Sequence, residues 1–221
     1  MNEVRALVEA FDAACDRGER CALATVVSVE GSSYRRPGAR MLVREGGAST
    51  GTISAGCLES DVVEHAKRVI RAGEAVLVEY DTASTGEEMA WGLGLGCNGV
   101  VRVLVEPLAP GSAYVEALRR SCEGRGDAPV SVATVYQHTP SHACAAGTEI
   151  GARLFVEGDG SVRREKLGEE LAATIESEVR ALSLGGGTAG TRVLESGDAA
   201  VKVFFETLLP PVQDRAHLRD D

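Results

Sequence analysis

No stretch of this sequence approaches the ~18 consecutive apolar residues that a membrane span requires. Basic residues are the minority: 23 Lys and Arg stand against 33 Asp and Glu, a net charge of −10. That balance excludes the electrostatic footprint of a nucleic-acid binder. With only four histidines and no C-x-x-C pair, a closed zinc site is not expected. The start, MNEVRALVEAFDAAC, carries Glu3, Arg5, Glu9 and Asp12, so it reads as a helix and not as a signal peptide. Six cysteines are present, but a chain of 221 residues needs no disulfide staples and nothing marks secretion. A reducing cytoplasm is the expected location. What remains is an ordinary globular composition, 44% apolar and 25% charged, on a chain long enough for one large domain or two small ones.

Helical and strand patterns alternate along the chain. Val4, Leu7, Val8 and Phe11 keep helical spacing, whereas CALATVVSV (21–29) is a β-branched run. ARMLVRE (39–45) predicts a second strand that ends in the turn pair Gly46-Gly47. Leu58, Val62, Val63, Ala66, Val69 and Ile70 share a helical face, with Gly73 where a helix stop belongs. VLVEY (76–80) and VVRVLVE (100–106) predict strands, AYVEALRRSC (113–122) a helix, and EGRGDAP (123–129) a linker.

The pattern then returns. SVATVYQ (131–137) echoes LATVVSV, and GARLFVEGDG (151–160) echoes GARMLVREGG (38–47), with Ala39-Arg40 recurring 113 residues on as Ala152-Arg153. Leu171, Ile175 and Leu182 keep the same spacing from Leu58, Val62 and Val69, and TRVLES (191–196) and AVKVFFET (200–207) supply two closing strands. The expected fold is α/β, with internally duplicated βα units around a mixed sheet and no classical Rossmann dinucleotide domain. The halves span about 1–112 and 123–210, followed by a charged tail over 211–221.

Three segments occur in one copy only, so the scaffold does not demand them. In TISAGCLES (52–60), small residues allow close backbone approach, and a helix starting near Cys57 aims free N–H groups at a ligand. Cys57 could be a thiolate nucleophile, a soft metal or sulfur contact, or a passive small hydrophobe. Glu59 suits a ligand contact or, more ordinarily, a cap on the first backbone N–H groups. GSSYRRPG (31–38) offers the hydroxyls of Ser32 and Ser33 and the guanidinium forks of Arg35 and Arg36, which suit phosphate or carboxylate; the alternative is a solvated hairpin. GLGLGCNG (92–99) holds Gly94, Gly96 and Cys97 in a pliable loop. It precedes a strand, so it is no dinucleotide fingerprint, but its N–H groups could form an anion nest. Copy two has TPSHACAAG (139–147) and the plain charged turn RREKLGEE (163–170) instead.

Together ATVVSVEGSSYRRPGARMLV, GTISAGCLESDVVEHA and GLGLGCNGVVRVLVEPL resemble the XdhC/CoxI family, accessory proteins that mature xanthine dehydrogenase-type molybdenum enzymes. The resemblance is strong over residues 20–108 and looser to VKVFFETLLPP (201–211). Family members commonly continue past the proline pair into a Rossmann-type domain, whereas this sequence ends at Asp221. Ala55 and Asn98 replace glycines usual beside the two Gly-Cys pairs, and Tyr34 stands where proline is frequent. The resemblance implies a chaperone that transiently binds the molybdenum cofactor (molybdopterin), assists its sulfuration and passes it to an apo molybdenum hydroxylase. Its implied site is Cys57, Cys97, Gly56, Glu59, Arg35, Arg36, Ser32, Ser33, Gly94 and Gly96, with Cys57 as a soft contact to the metal centre. A cysteine desulfurase-type sulfur donor and a homo-oligomeric state are the other implied associations. Two further classes stay open. One is a cysteine-dependent enzyme using Cys57, which would need a base, His65 lying two turns down the same helix and too far for that role; the other is an assembly or regulatory protein without a ligand.

Overall fold

The computed structural model describes residues 2–81, 98–123, 128–138, 147–184, 189–196 and 199–210. Helix α1 (Asn2–Asp16) leads into β1 (Cys21–Ser32), β2 (Arg40–Arg44) and β3 (Ser49–Gly51). Helix α2 (Glu59–Ala72) then carries the chain to β4 (Val76–Asp81), followed by β5 (Asn98–Leu108) and α3 (Ala113–Glu123). The second half repeats the series: β6 (Val130–His138), β7 (Arg153–Val156), β8 (Val162–Glu165), α4 (Glu169–Leu184), β9 (Ala189–Ser196) and β10 (Ala199–Leu208).

The duplicated α/β units expected from the sequence are present. Each forms its own five-stranded sheet, with orders β3-β2-β1-β5-β4 and β8-β7-β6-β10-β9. Every recorded pairing is antiparallel, where a mixed sheet was expected. The reason is topological. After the helix crosses to the far edge, the last two strands form antiparallel neighbours, and the final one inserts beside the first in the opposite sense. RREKLGEE, expected as a turn, starts inside β8, because an edge strand with both faces wet carries no hydrophobic alternation.

Equivalent backbone bonds recur in both halves. Gly38 N donates to Val26 O and Gly151 N to Val135 O, both at 2.8 Å. Both glycines have positive φ, 96° and 88°, a conformation that side chains rarely adopt. β1 and β6 each carry a bulge, which leaves Val27 and Tyr136 as the extra residues. These two meet Leu104 and Phe204 in a small buried cluster between the sheets.

The remaining core lies in three layers. α2 covers one face of the first sheet through Val62, Ala66, Val69 and Ile70, packed on Ala22, Ala24, Val26 and Val103. α4 covers the second sheet likewise through Leu171, Ile175 and Val179. Between the halves, α1 and α3 pack with Leu23 and Leu42 on one side and Val132 and Phe155 on the other. α2 ends where the sequence places its stop: Gly73 is left-handed, and its N–H bonds to Val69 O at 2.8 Å.

Candidate functional site

Strand direction gathers the one-copy segments at one end of the first sheet. Ser32 closes β1 there, opposite Asn98, the first residue of β5. β3 ends at Gly51 opposite Met41, near the start of β2, so the 52–58 loop leaves from the same end. Asp81 pairs with Val100, so the chain departs after β4 and returns to β5 at that end as well. The turn 33–39 and the loop before α2 therefore leave toward the end of the sheet at which β5 begins. Cys97, Gly94 and Gly96 lie outside the described residues, as does the side chain of Ser32.

The loop before α2 is organised by Glu59. Its Oε1 accepts from Thr52 Oγ1 at 2.6 Å, Ser54 N at 2.9 Å and Ile53 N at 3.3 Å. Its Oε2 accepts from Ser54 Oγ and from Leu58 N at 3.2 Å. Ser54 Oγ in turn accepts from Cys57 N at 3.0 Å and Leu58 N at 3.1 Å, serving as a cap from four residues upstream. Burial works against the Glu59 charge, but the Ser54 and Thr52 hydroxyls and the Ser54 amide outweigh it and hold the carboxyl down to about 2. Both carboxylate oxygens are thus occupied by donors of the loop that precedes α2.

Cys57 is a free, half-buried thiol between Gly56, which has φ of 104°, and the start of α2. The other described cysteines sit elsewhere. Cys21 and Cys122 are buried in the central layer, and burial pushes Cys21 up to about 11 and Cys122 upward. Cys15 packs against that layer, and Cys144 is outside the described residues. Arg35 pairs with Glu3 of α1 at 2.9 Å and also senses the charge of Glu59. Such an exposed pair is worth about 0–1 kcal/mol, so it exchanges readily for a stronger anion. Arg36 is exposed and Ser33 half-buried. His65 lies 3.5 Å from Asp61, one turn earlier on α2, and Tyr80 donates to the same carboxylate at 2.6 Å.

One constellation is not legible from motifs. Arg40, at the start of β2, pairs with Glu206 near the end of β10, and Arg153, at the start of β7, pairs with Glu106 near the end of β5. The two halves thus exchange ion pairs reciprocally. All four side chains are less than 10% exposed. The Tyr114 hydroxyl donates to Glu206 at 2.5 Å and accepts from Arg40 at 2.8 Å, while Arg153 stacks 4.0 Å over its ring. Arg40 also donates to Gly38 O at 2.7 Å, which ties the pair to the end of the Arg35-Arg36 turn. The signal available was the recurrence itself, since arginine follows Gly-Ala in both copies and an acid sits late in both closing strands. A cleft of about 1060 Å³ opens beside the Glu106 pair, lined also by Glu74, Glu149 and Lys166, away from Cys57.

In comparison with known proteins, residues 14–81 match the XdhC and CoxI family. That match takes in two of the three motifs that carried the resemblance. The chain is 36% identical over 122 residues to a Bacillus subtilis protein named as a probable xanthine dehydrogenase subunit, covering 55% of this chain and 37% of that one. It is 29% identical over 104 residues to the molybdenum cofactor insertion chaperone PaoD of Escherichia coli, covering 47% and 31%. A crystal structure of a xanthine dehydrogenase from Bacillus halodurans superposes with a TM-score of 0.61 at 25% identity, covering 93% of this chain and 53% of that one. The chain thus spans about a third of the curated relatives and about half of the solved one. Among the described residues no helix is long and apolar enough to cross a membrane.

Proposed function

We propose that this chain is an accessory protein that holds the molybdenum cofactor at the rim of its first sheet and passes it to an apo molybdenum hydroxylase of the xanthine dehydrogenase type. The observation that carries the reading is the placement of two family-matching segments, the turn 33–39 and the loop before α2, toward one end of a duplicated scaffold whose second half lacks them. The donor set fits such a group. A half-buried thiol stands at the start of the 14-residue α2, and Arg35 and Arg36 occupy the neighbouring turn. When bound, the cofactor would supply an anionic phosphate and a sulfur-ligated metal centre. Cys57 would meet the sulfur-rich end, the arginines the phosphate, and Gly56 would let the backbone approach closely. Assistance with sulfuration by a desulfurase-type donor belongs to the same reading.

The relative named as a molybdenum cofactor insertion chaperone supports this role over a cysteine-dependent enzyme. So does the engagement of His65 with Asp61, which gives the imidazole a partner other than Cys57. The test is to purify the chain from a cofactor-producing host, oxidise it and measure released pterin by fluorescence. Pterin above that from a Cys57→Ala control is the expected result; none in either sample would favour a ligand-free assembly role.

A further inference from the structure

We propose that Glu59 is a positioning residue that fixes the backbone of Cys57 through Ser54. The argument is one of donors and acceptors. Ser54 gives its only hydroxyl proton to Glu59 Oε2, which leaves its lone pairs for the N–H groups of Cys57, at 3.0 Å, and Leu58, at 3.1 Å. Without the carboxylate nothing sets the direction of that proton, and the hydroxyl is free to turn away from Cys57. Thr52 Oγ1 lies 2.6 Å from both Glu59 Oε1 and Ser54 O, which fastens the strand end of the same loop.

Apart from Thr52, whose single proton is shared with Ser54 O, every partner of Glu59 is a donor, so glutamine cannot replace it. With its amide nitrogen at the Oε2 position, the NH₂ group faces Leu58 N–H and overloads the Ser54 hydroxyl. Flipped, it faces the N–H groups of Ile53 and Ser54. Aspartate is one methylene too short to reach both sides. An ordinary cap tolerates such exchanges; this network accepts only a full-length carboxylate.

The purpose of this positioning rests on the reading of Cys57 as the thiol that meets the cofactor, but its physical content can be read without cofactor. The experiment treats the native full chain with iodoacetamide at neutral pH and follows each cysteine by peptide mass spectrometry, with Cys15 as internal reference. Glu59→Gln and Ser54→Ala should each change the ratio of Cys57 to Cys15 alkylation by about fivefold or more, because a released loop alters thiol exposure. Ser54→Thr, which keeps the hydroxyl, should stay within about twofold of wild type. An unchanged ratio in both disruptive variants, whatever their melting temperatures, would reduce Glu59 to a helix cap and overturn the proposal. Pterin retention measured on the same samples separates the two readings. A shifted ratio in a protein that never retains pterin upholds the positioning role and sinks the cofactor role; retained pterin with an unshifted ratio does the reverse.

Discussion

Replacing Glu206 by alanine should strand the Arg40 guanidinium in the interior. Arg40 is 9% exposed, and without Glu206 its remaining partners are Gly38 O at 2.7 Å and the Tyr114 hydroxyl. Burial acts to discharge Arg40, but Glu206 and Tyr114 outweigh it and keep the group firmly protonated. Removing one partner of a buried pair costs about 3–5 kcal/mol, since the other charge is left uncompensated. At about 2–4 °C per kcal/mol for a chain of this size, the melting temperature should fall by about 6–20 °C. The informative comparison is Arg40→Met with Glu206→Leu and Tyr114→Phe. That triple change removes both charges and the hydroxyl that would otherwise be orphaned at about 1–3 kcal/mol, while the ring under Arg153 remains. It should recover most of the loss, because apolar isosteres of a buried pair are often neutral or stabilising. Urea unfolding followed by far-ultraviolet circular dichroism, with an unchanged m-value, gives both numbers. A cost below about 1 kcal/mol for Glu206→Ala, or a triple variant no more stable than the single one, would refute the picture of a desolvated lock.

Cys57→Ala should stay within about 1 kcal/mol of wild type yet lose pterin and fail to activate the partner hydroxylase, whereas Cys122→Ala should lose stability and keep delivery; melts paired with delivery assays decide this. Glu59 has its folded pKa lowered from 4.5 to about 2, so its contribution to stability is present above pH 4.5 and lost as pH falls toward 2. Urea midpoints over that window should therefore fall less for Glu59→Gln than for wild type, and parallel slopes would contradict the assignment. With no strand–GxGxxG–helix unit in the sequence, calorimetry should find no tight NAD or flavin binding, and micromolar affinity would overturn that expectation.

Much of the scaffold was legible because it is written twice. Helix α2 could be read from Val62, Ala66, Val69 and Ile70 and its stop at Gly73, since burial of one face imposes the helical period. The short edge strands β3 and β8 left no mark, because STG and VRRE have both faces largely in water. Pairing sense was missed as well, since alternation reports which face is buried and not the direction of the neighbour. At the site, Cys57 and Glu59 stand out by composition, but the assignment of Thr52 and Ser54 to the Glu59 carboxylate needs coordinates. Arg40 and Arg153 were visible as echoes. That each would seek an acid from the opposite half could not be seen, because those partners are separated by 166 and 47 positions.

The two halves also show what the scaffold does without the site. Both use the same lock: an arginine opening the second strand bonds the glycine carbonyl two residues back, at 2.7 Å in one half and 3.3 Å in the other, and reaches an acid from the other half. They differ at the following helix. At the 113-residue spacing Glu59 corresponds to Ala172, yet α4 already starts at Glu169, so its first three residues are helical where Gly56, Cys57 and Leu58 are not. Opening a first turn sacrifices backbone hydrogen bonds and exposes N–H groups that need new acceptors. Ser54 and Glu59 supply them in the first half; the equivalent positions in the second, Leu167 and Ala172, could not. A scaffold that folds with a regular helix start in one copy has no structural need for an opened one in the other. The unwinding is therefore local to Cys57, and its compensation comes from the residues that hold the Cys57 backbone in place.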